Sequence, residues 1–260
     1  MTQIFNFKKL LKLIIPPIFI NLFFYKSFVF KNKFKTYADA LNSCNESKNV
    51  YFDKNSIQAL KNYKDILTID RFLIAPILVS ILDKKNKINV LDIGGGNDPI
   101  YTHIKSSTGI NVNCHVLETT KFINFFKSKI PKKFKNLKYI NNIDQINVKY
   151  LDIISFNSSI QYFENYKQLL MKLINFNPKY IIITRTFFHN EIKDYYVIET
   201  GIKGSIHPYI FFSFPSLIKF FLRKNFRLIF DNKYNIGRYK HDSINSSNFY
   251  HKDLIFKNMN

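Results

Sequence analysis

Tryptophan is absent from this chain of 260 residues, and cysteine is nearly so. Cys44 and Cys114 form no C-x-x-C motif and no metal-ligand spacing. That excludes a disulfide framework and points to a reducing compartment. The six histidines are scattered, with no pair at i and i+4, so no metal site is expected. Acidic residues are scarce, 18 against 39 Lys and Arg, for a formal charge of +21. Such a charge favours anionic partners: nucleic acid, lipid headgroups, or acidic and phosphorylated glycans. The same excess also follows from AT-rich codons, which favour Lys, Asn, Ile and Phe. The lysines are spread along the chain and no RNA-binding signature occurs, which sets nucleic acid aside as a partner. Long apolar runs are missing too. The uncharged stretch from Leu13 to Tyr25 is interrupted by Pro16-Pro17 and falls short of the roughly 20 apolar residues a bilayer span needs. Glycine is rare, seven in all, yet three stand together at Gly94-Gly95-Gly96.

What is present is 46% hydrophobic content, enough to exclude general disorder. The length suits one well-buried α/β domain with a modest extension. The organising stretch is Ile88-Asn89-Val90-Leu91-Asp92-Ile93-Gly94-Gly95-Gly96-Asn97-Asp98-Pro99. It reads as a strand buried on both faces, a glycine turn and the start of a helix, with Asp98 as N-cap and Pro99 in the first helical position. Strand, glycine turn and helix form a nucleotide cradle at the carboxyl end of a strand in open α/β sheets. The dinucleotide pattern G-x-G-x-x-G fails here, because Pro99 stands where the third glycine belongs and Asp98 sets a negative charge where a pyrophosphate would lie. Both departures fit S-adenosylmethionine, which carries a sulfonium and an amino-acid end and no phosphate. His115-Val116-Leu117-Glu118 then supplies an acid at the end of the next strand to hold the ribose hydroxyls.

Val90-Leu91-Asp92-Ile93-Gly94-Gly95-Gly96 with Glu118 resembles the motifs of class I S-adenosylmethionine-dependent methyltransferases. More narrowly, the chain resembles a methyltransferase family encoded among bacterial surface-polysaccharide biosynthesis genes. The matching pieces, in order, are Leu13-Ile14-Ile15-Pro16-Pro17, Tyr37-Ala38-Asp39-Ala40-Leu41, Ser158-Ser159-Ile160-Gln161-Tyr162 and Arg185-Thr186-Phe187-Phe188. They cover nearly the whole length. Asn97-Asp98 departs from the small residues usual there. The resemblance implies a methyltransferase that O-methylates a sugar of a surface polysaccharide or its lipid-linked precursor, with a glycan or glycolipid-precursor acceptor and a cytoplasmic location. The rivals are a same-fold methyltransferase of a small molecule and a non-catalytic donor-binding module.

Two regions are expected: residues 1–87, an apolar and basic segment with a helical cap, and residues 88–260, the methyltransferase domain. Residues 5–30 either lie on an anionic membrane surface, making the protein peripheral at the inner face, or pack against the domain. Thr36 can N-cap a helix over Tyr37–Leu41, and helices are also expected over 51–67 and 69–82. From Ile88 strands and helices alternate. Strands are expected at 88–93, 112–118, 137–140, 150–157, 180–186, 226–230 and 250–256. Helices are expected at 99–107, 120–129, 164–175 and 214–224. This is a Rossmann-like, seven-stranded, mostly parallel sheet with helices on both faces, plus the N-terminal helical cap.

Methyl transfer from a sulfonium needs alignment, exclusion of water and, for a hydroxyl acceptor, a proton acceptor. Asp92, Gly94, Gly95, Gly96 and Glu118 are the main donor-binding candidates. Asn142 follows the third strand at the adenine position, and Asn157 and Ser158 lie at the methionine end. Ser158 and Ser159 can equally cap the following turn. Gln161, Tyr162, Arg185, Thr186 and Tyr209 are placed on the acceptor side, Tyr209 in a loop opened by His207-Pro208. Arg185 either anchors the acceptor or pairs with Asp152 or Glu164. His189 is the candidate general base, with a solvent-exposed loop histidine as the alternative.

Overall fold

The computed structural model describes residues 28–44, 86–96, 99–126, 134–200, 206–234, 239–241 and 248–260. The expected helices over 51–67 and 69–82, the proposed N-cap Asp98, and residues 5–27 of the N-terminal segment lie outside these.

Apolar runs with alternating burial build the sheet. In β2 (Lys87–Ile93), Ile88 and Val90 pack on one side, while Leu91 and Ile93 pack on the other. In β5 (Ile153–Asn157), Ile153 joins the first side, and Ile154 and Phe156 the second. Both faces are therefore buried, as a parallel sheet requires. With β3 (Asn111–Leu117), β4 (Leu137–Ile140) and β6 (Tyr180–His189), these strands run parallel in the order β4-β3-β2-β5-β6. Beyond β6 lies β11 (Tyr250–Asn258), antiparallel to it, and then β9 (Phe226–Tyr234), antiparallel to β11. These are the seven strands legible in the sequence.

Helix α1 (Tyr37–Asn42) starts at Thr36, whose hydroxyl accepts the Asp39 N–H at 3.2 Å, as the sequence suggests. Helix α2 (Ile100–Thr108) lies against one sheet face through Ile100, Tyr101 and Ile104. Helix α3 (Thr120–Phe126) packs Phe122 near Tyr139 of β4. The other face is covered by α4 (Tyr166–Ile174) and α5 (Phe214–Leu222), through Leu170, Leu173, Leu217 and Phe221.

The seven-stranded expectation is corrected, because eleven strands join in one mixed sheet among the described residues. Four further strands, β1 (Phe28–Phe34), β7 (Tyr195–Thr200), β8 (Ile206–Ser213) and β10 (Tyr239–His241), line up as β10-β1-β7-β8. They attach where β8 pairs with the last residues of β6, Phe188 with Phe212 and His189 with Ser213. Pro208 sits in β8, which is therefore a strand and not the loop expected from His207-Pro208. β8 meets β7 along its length but β6 only at its end, which leaves an edge free for a residue without an N–H. Residues 28–30 of the basic N-terminal segment belong to β1, and Phe30 is fully buried. The boundary placed at residue 87 thus does not separate β1 from the sheet. The added strands hold their own aromatic core of Phe30, Tyr195, Val197, Tyr209 and Phe211 against Phe187 and Phe249.

Candidate functional site

The cradle forms at the carboxyl ends of β2 and β3. Gly94 and Gly96 have φ of +68° and +57°, conformations that disfavour any side chain. Gly95 has ordinary φ, and its restriction is spatial: a Cβ there would lie 2.4 Å from Asp92 Oδ2 and 3.1 Å from Val116 Cγ1. A Cβ on Gly94 would lie 2.8 Å from the Ser159 Cβ. Asp92 is buried beneath this turn, and its Oδ2 accepts the Ile100 N–H at 2.7 Å. Helix α2 therefore begins one residue later than expected. Pro99 occupies the cap position in extended conformation without a side-chain bond, and the carboxylate that serves this helix end comes from Asp92.

Glu118 stands at the tip of β3 facing the same turn. The Gly96 N–H donates to its Oε1 at 2.9 Å and the Thr119 N–H to its Oε2 at 3.2 Å. Burial raises its pKa, and the Gly96 and Thr119 bonds work against that rise. The Tyr139 hydroxyl donates to the Gly96 carbonyl at 2.8 Å, tying the turn to β4. Nothing in the sequence marked Tyr139 for this. Asn142 caps a short 310 turn over Ile143–Gln145, its Oδ1 accepting the Asp144 N–H at 3.1 Å. Its side chain is exposed and engaged in this local turn.

The loop after β5 closes over the glycines. Ser159 donates to the Ile93 carbonyl at 2.5 Å and makes no cap to the following 310 turn, Ile160–Tyr162. Ser158 holds φ +54°, its N–H bonds the Thr184 carbonyl at 2.9 Å, and its hydroxyl accepts from Gln161 Nε2 at 3.1 Å. Asn157 accepts from the Thr184 hydroxyl at 3.0 Å. Buried Thr186 reaches Gln161 Oε1 at 3.4 Å. The Tyr162 hydroxyl donates to Glu199 Oε2 at 2.7 Å, and its ring meets that of Tyr209 at 5.4 Å. Asn157, Ser158, Gln161, Tyr162, Thr186 and Tyr209 thus gather beside the cradle, with Tyr209 itself buried in the aromatic core.

Arg185 occupies a β-bulge. Leu254 pairs with Ile183 and Lys252 with Thr186, so Asp253 faces two residues, and its Oδ1 accepts the Arg185 N–H at 2.9 Å. Arg185 takes φ +54°, an uncommon conformation for a residue with a Cβ. Neither expected partner meets it. Asp152 lies at the opposite end of β5 and accepts the Asn89 N–H at 2.8 Å, and Glu164 is exposed on the loop before α4. Arg185 instead lies near His251, whose pKa is pushed down to about 3 by burial and then by that guanidinium.

His189 is neither in a solvent-exposed loop nor free for base catalysis. It ends β6, fully buried, with Nε2 3.0 Å from the Phe211 carbonyl and Nδ1 accepting the Glu191 N–H at 3.1 Å. With Nε2 protonated for Phe211, both nitrogens are occupied by backbone, and burial holds the ring pKa down. His189→Ala would leave that carbonyl and N–H unsatisfied. The expected loss is about 2 kcal/mol of stability in denaturant titration, with donor affinity unchanged.

Among the described residues no group of His, Cys, Asp and Glu is placed to hold a metal, and no helix is long and apolar enough to cross a membrane. No family model matches the chain, and no curated protein matches it by sequence. Solved structures do match in fold. One is the 1,6-didemethyltoxoflavin N1-methyltransferase of Burkholderia thailandensis, bound to 1,6-didemethyltoxoflavin and S-adenosylhomocysteine. It shares 11% identity over 86% of this chain and 89% of its own, with a TM-score of 0.50. An S-adenosylmethionine-dependent methyltransferase of Methanosarcina mazei shares 11% over 70% and 97%, also at 0.50. The N-terminal domain of EvdMO1, crystallised in the presence of S-adenosylhomocysteine and D-fucose, shares 10% over 81% and 100%, again at 0.50. The chain has the α/β fold of the first two, both methyltransferases, with a mostly parallel central sheet.

Proposed function

We propose that this protein is an S-adenosylmethionine-dependent methyltransferase that O-methylates a sugar hydroxyl of a surface polysaccharide or of its lipid-linked precursor. The observation that carries the donor half is the Glu118 carboxylate facing a turn where a Cβ at Gly94 or Gly95 would clash and where Gly94 and Gly96 hold positive φ. Bound there, S-adenosylmethionine would supply a methyl group already activated on a sulfonium. Glu118 would accept hydrogen bonds from the ribose hydroxyls. The backbone of Gly94–Gly96 offers close approach to the amino-acid end, and Asp92 holds that turn and the α2 terminus in place.

The acceptor half rests on the family resemblance and on polar side chains gathered past the end of β5 and along the adjoining part of β6, on the side of the sheet where open α/β folds bind ligands. Tyr162, partly exposed, offers a hydroxyl suited to a polyhydroxyl substrate, and the buried Gln161 and Thr186 bond behind it. Arg185, half-buried and held in the bulge, would anchor an anionic group such as a diphosphate. Contact of residues 5–27 with anionic lipid would bring such a precursor near, and is part of the same proposal.

Titration calorimetry with S-adenosylhomocysteine, with NAD alongside, tests the donor half: micromolar binding of the first and none of the second is expected. Glu118→Ala should weaken that binding by about 1–3 kcal/mol, the scale of a charged hydrogen bond lost from a buried site. An unchanged affinity would remove Glu118 from the ribose and refute the cradle assignment.

A further inference from the structure

One buried acid outside the cradle is left unused by the donor reading. Glu199 lies in β7, on the same face as Tyr195 and Val197, and is only 6% exposed. Phe30 of β1 and His207 of β8 stand opposite it in the ladder, and the Tyr162 hydroxyl reaches it at 2.7 Å from the 310 turn. Burial keeps His207 below its ordinary pKa, and thus neutral near pH 7. Burial also raises the Glu199 pKa to about 7, against the pull of the Tyr162 bond. Tyr162 stands one 310 turn past Ser159, with Tyr162 N–H bonded to the Ser159 carbonyl at 3.1 Å. Ser159 is the residue against which Gly94 packs, so this turn sets out from the cradle, at about 2 Å of rise per residue. Tyr162 is partly exposed and Glu199 lies behind it.

Resting on the methyltransferase reading above, we infer that Tyr162 and Glu199 form the proton-accepting arm of the acceptor side. The acceptor hydroxyl donates to the Tyr162 oxygen. As that hydroxyl oxygen forms its bond to the methyl carbon, the carbon–sulfur bond breaks and its electron pair goes to sulfur. The hydroxyl proton passes to Tyr162 while the phenol proton passes to Glu199. The carboxylate loses its negative charge in the same step that the sulfonium loses its positive one, so the site holds the same net charge before and after. Glu199 then returns its proton to solvent through Tyr162. This explains why a buried acid stands between Phe30 and His207 with a phenol as its partner, an arrangement that packing alone does not require.

The test needs no acceptor. S-Adenosylmethionine brings a cation and S-adenosylhomocysteine does not, so only the first should drive Glu199 to ionise. Calorimetric titration of the full-length protein at pH 7, in two buffers of different ionisation enthalpy, should show S-adenosylmethionine releasing a few tenths of a proton more than S-adenosylhomocysteine. Glu199→Gln should abolish that difference and leave both affinities within about threefold. Equal proton release by the two ligands in the unsubstituted protein, or a difference that survives in Glu199→Gln, would overturn the inference while leaving the donor site standing. Binding of neither ligand would instead overturn the donor reading, and this inference with it. Tyr162→Phe is the second variant. It keeps Glu199 but removes its hydrogen bond, so the protonation midpoint of the Glu199 carboxyl, followed by infrared spectroscopy, should move up. An unmoved midpoint would mean the pair does not act as a unit.

Discussion

Gly95→Ala should abolish detectable binding of S-adenosylhomocysteine and destabilise the protein by about 3–5 kcal/mol, the scale of a buried charge deprived of its partner. The backbone at Gly95 is not strained, so the effect is steric. The new methyl would meet Asp92 Oδ2 at 2.4 Å and its Cγ at 2.9 Å. Asp92 cannot give way cheaply, because its Oδ2 is bound to the Ile100 N–H at 2.7 Å and the whole side chain is buried. Moving it leaves a helix-end N–H unsatisfied and a carboxylate without its donor. Moving the turn instead takes Gly96 away from Glu118 and Tyr139. Either route spoils the cradle. Urea titration reads the stability loss, and calorimetry with S-adenosylhomocysteine reads the binding. Donor affinity equal to that of the unsubstituted protein would show that the Asp92–Gly95 contact is not the floor of the site.

The second large effect is a pH-dependent gain. Glu199 has its folded pKa raised from 4.5 to about 7. A raised pKa contributes stability that is fully present below the unfolded value and is lost as pH rises through the folded one. The unsubstituted protein should therefore lose about 3 kcal/mol from this group between pH 4.5 and pH 8, taking 1.36 kcal/mol for each pKa unit. Glu199→Gln keeps an oxygen for the Tyr162 hydroxyl and cannot ionise, so it should escape this loss. The variant should match the parent near pH 4.5 and exceed its stability by about 3 kcal/mol at pH 8. Urea titrations at the two pH values, with unchanged slopes, measure this. A gap that does not vary with pH would mean that Glu199 ionises as an ordinary surface acid and is not buried as described.

Much of this was legible because the central strands are short, continuous apolar runs separated by helix-forming segments. Leu137–Ile140 has the expected limits, and β2 and β3 agree with theirs to one residue. The glycine triplet and Glu118 were legible for the same local reason: a turn that must admit a ligand leaves a trace in residue type. The four added strands were not. Tyr195–Thr200 is aromatic and β-branched, and Phe28–Phe34 carries phenylalanines between lysines. Yet neither shows its partner, since β1 and β7 pair across more than a hundred and fifty residues. The sequence also made His189 look like a base. Its ring chemistry suits that role, but only the fold brings the Phe211 carbonyl and the Glu191 N–H to its two nitrogens.

Local chemistry, then, already lay in the order of residues: which strands are buried on both faces, where the backbone must be bare, and which acid ends the second central strand. Periodicity and glycine usage act over a few residues, so one dimension suffices to read them. Tertiary structure alone decided that Asp92 serves the end of α2, that Arg185 sits in a bulge opposite Asp253, and that Tyr162 meets Glu199 thirty-seven positions away. Each of these depends on strands brought into register by a shared hydrophobic interior. A carboxylate's environment, and hence its protonation, is set by whatever that interior places around it and not by its neighbours along the chain.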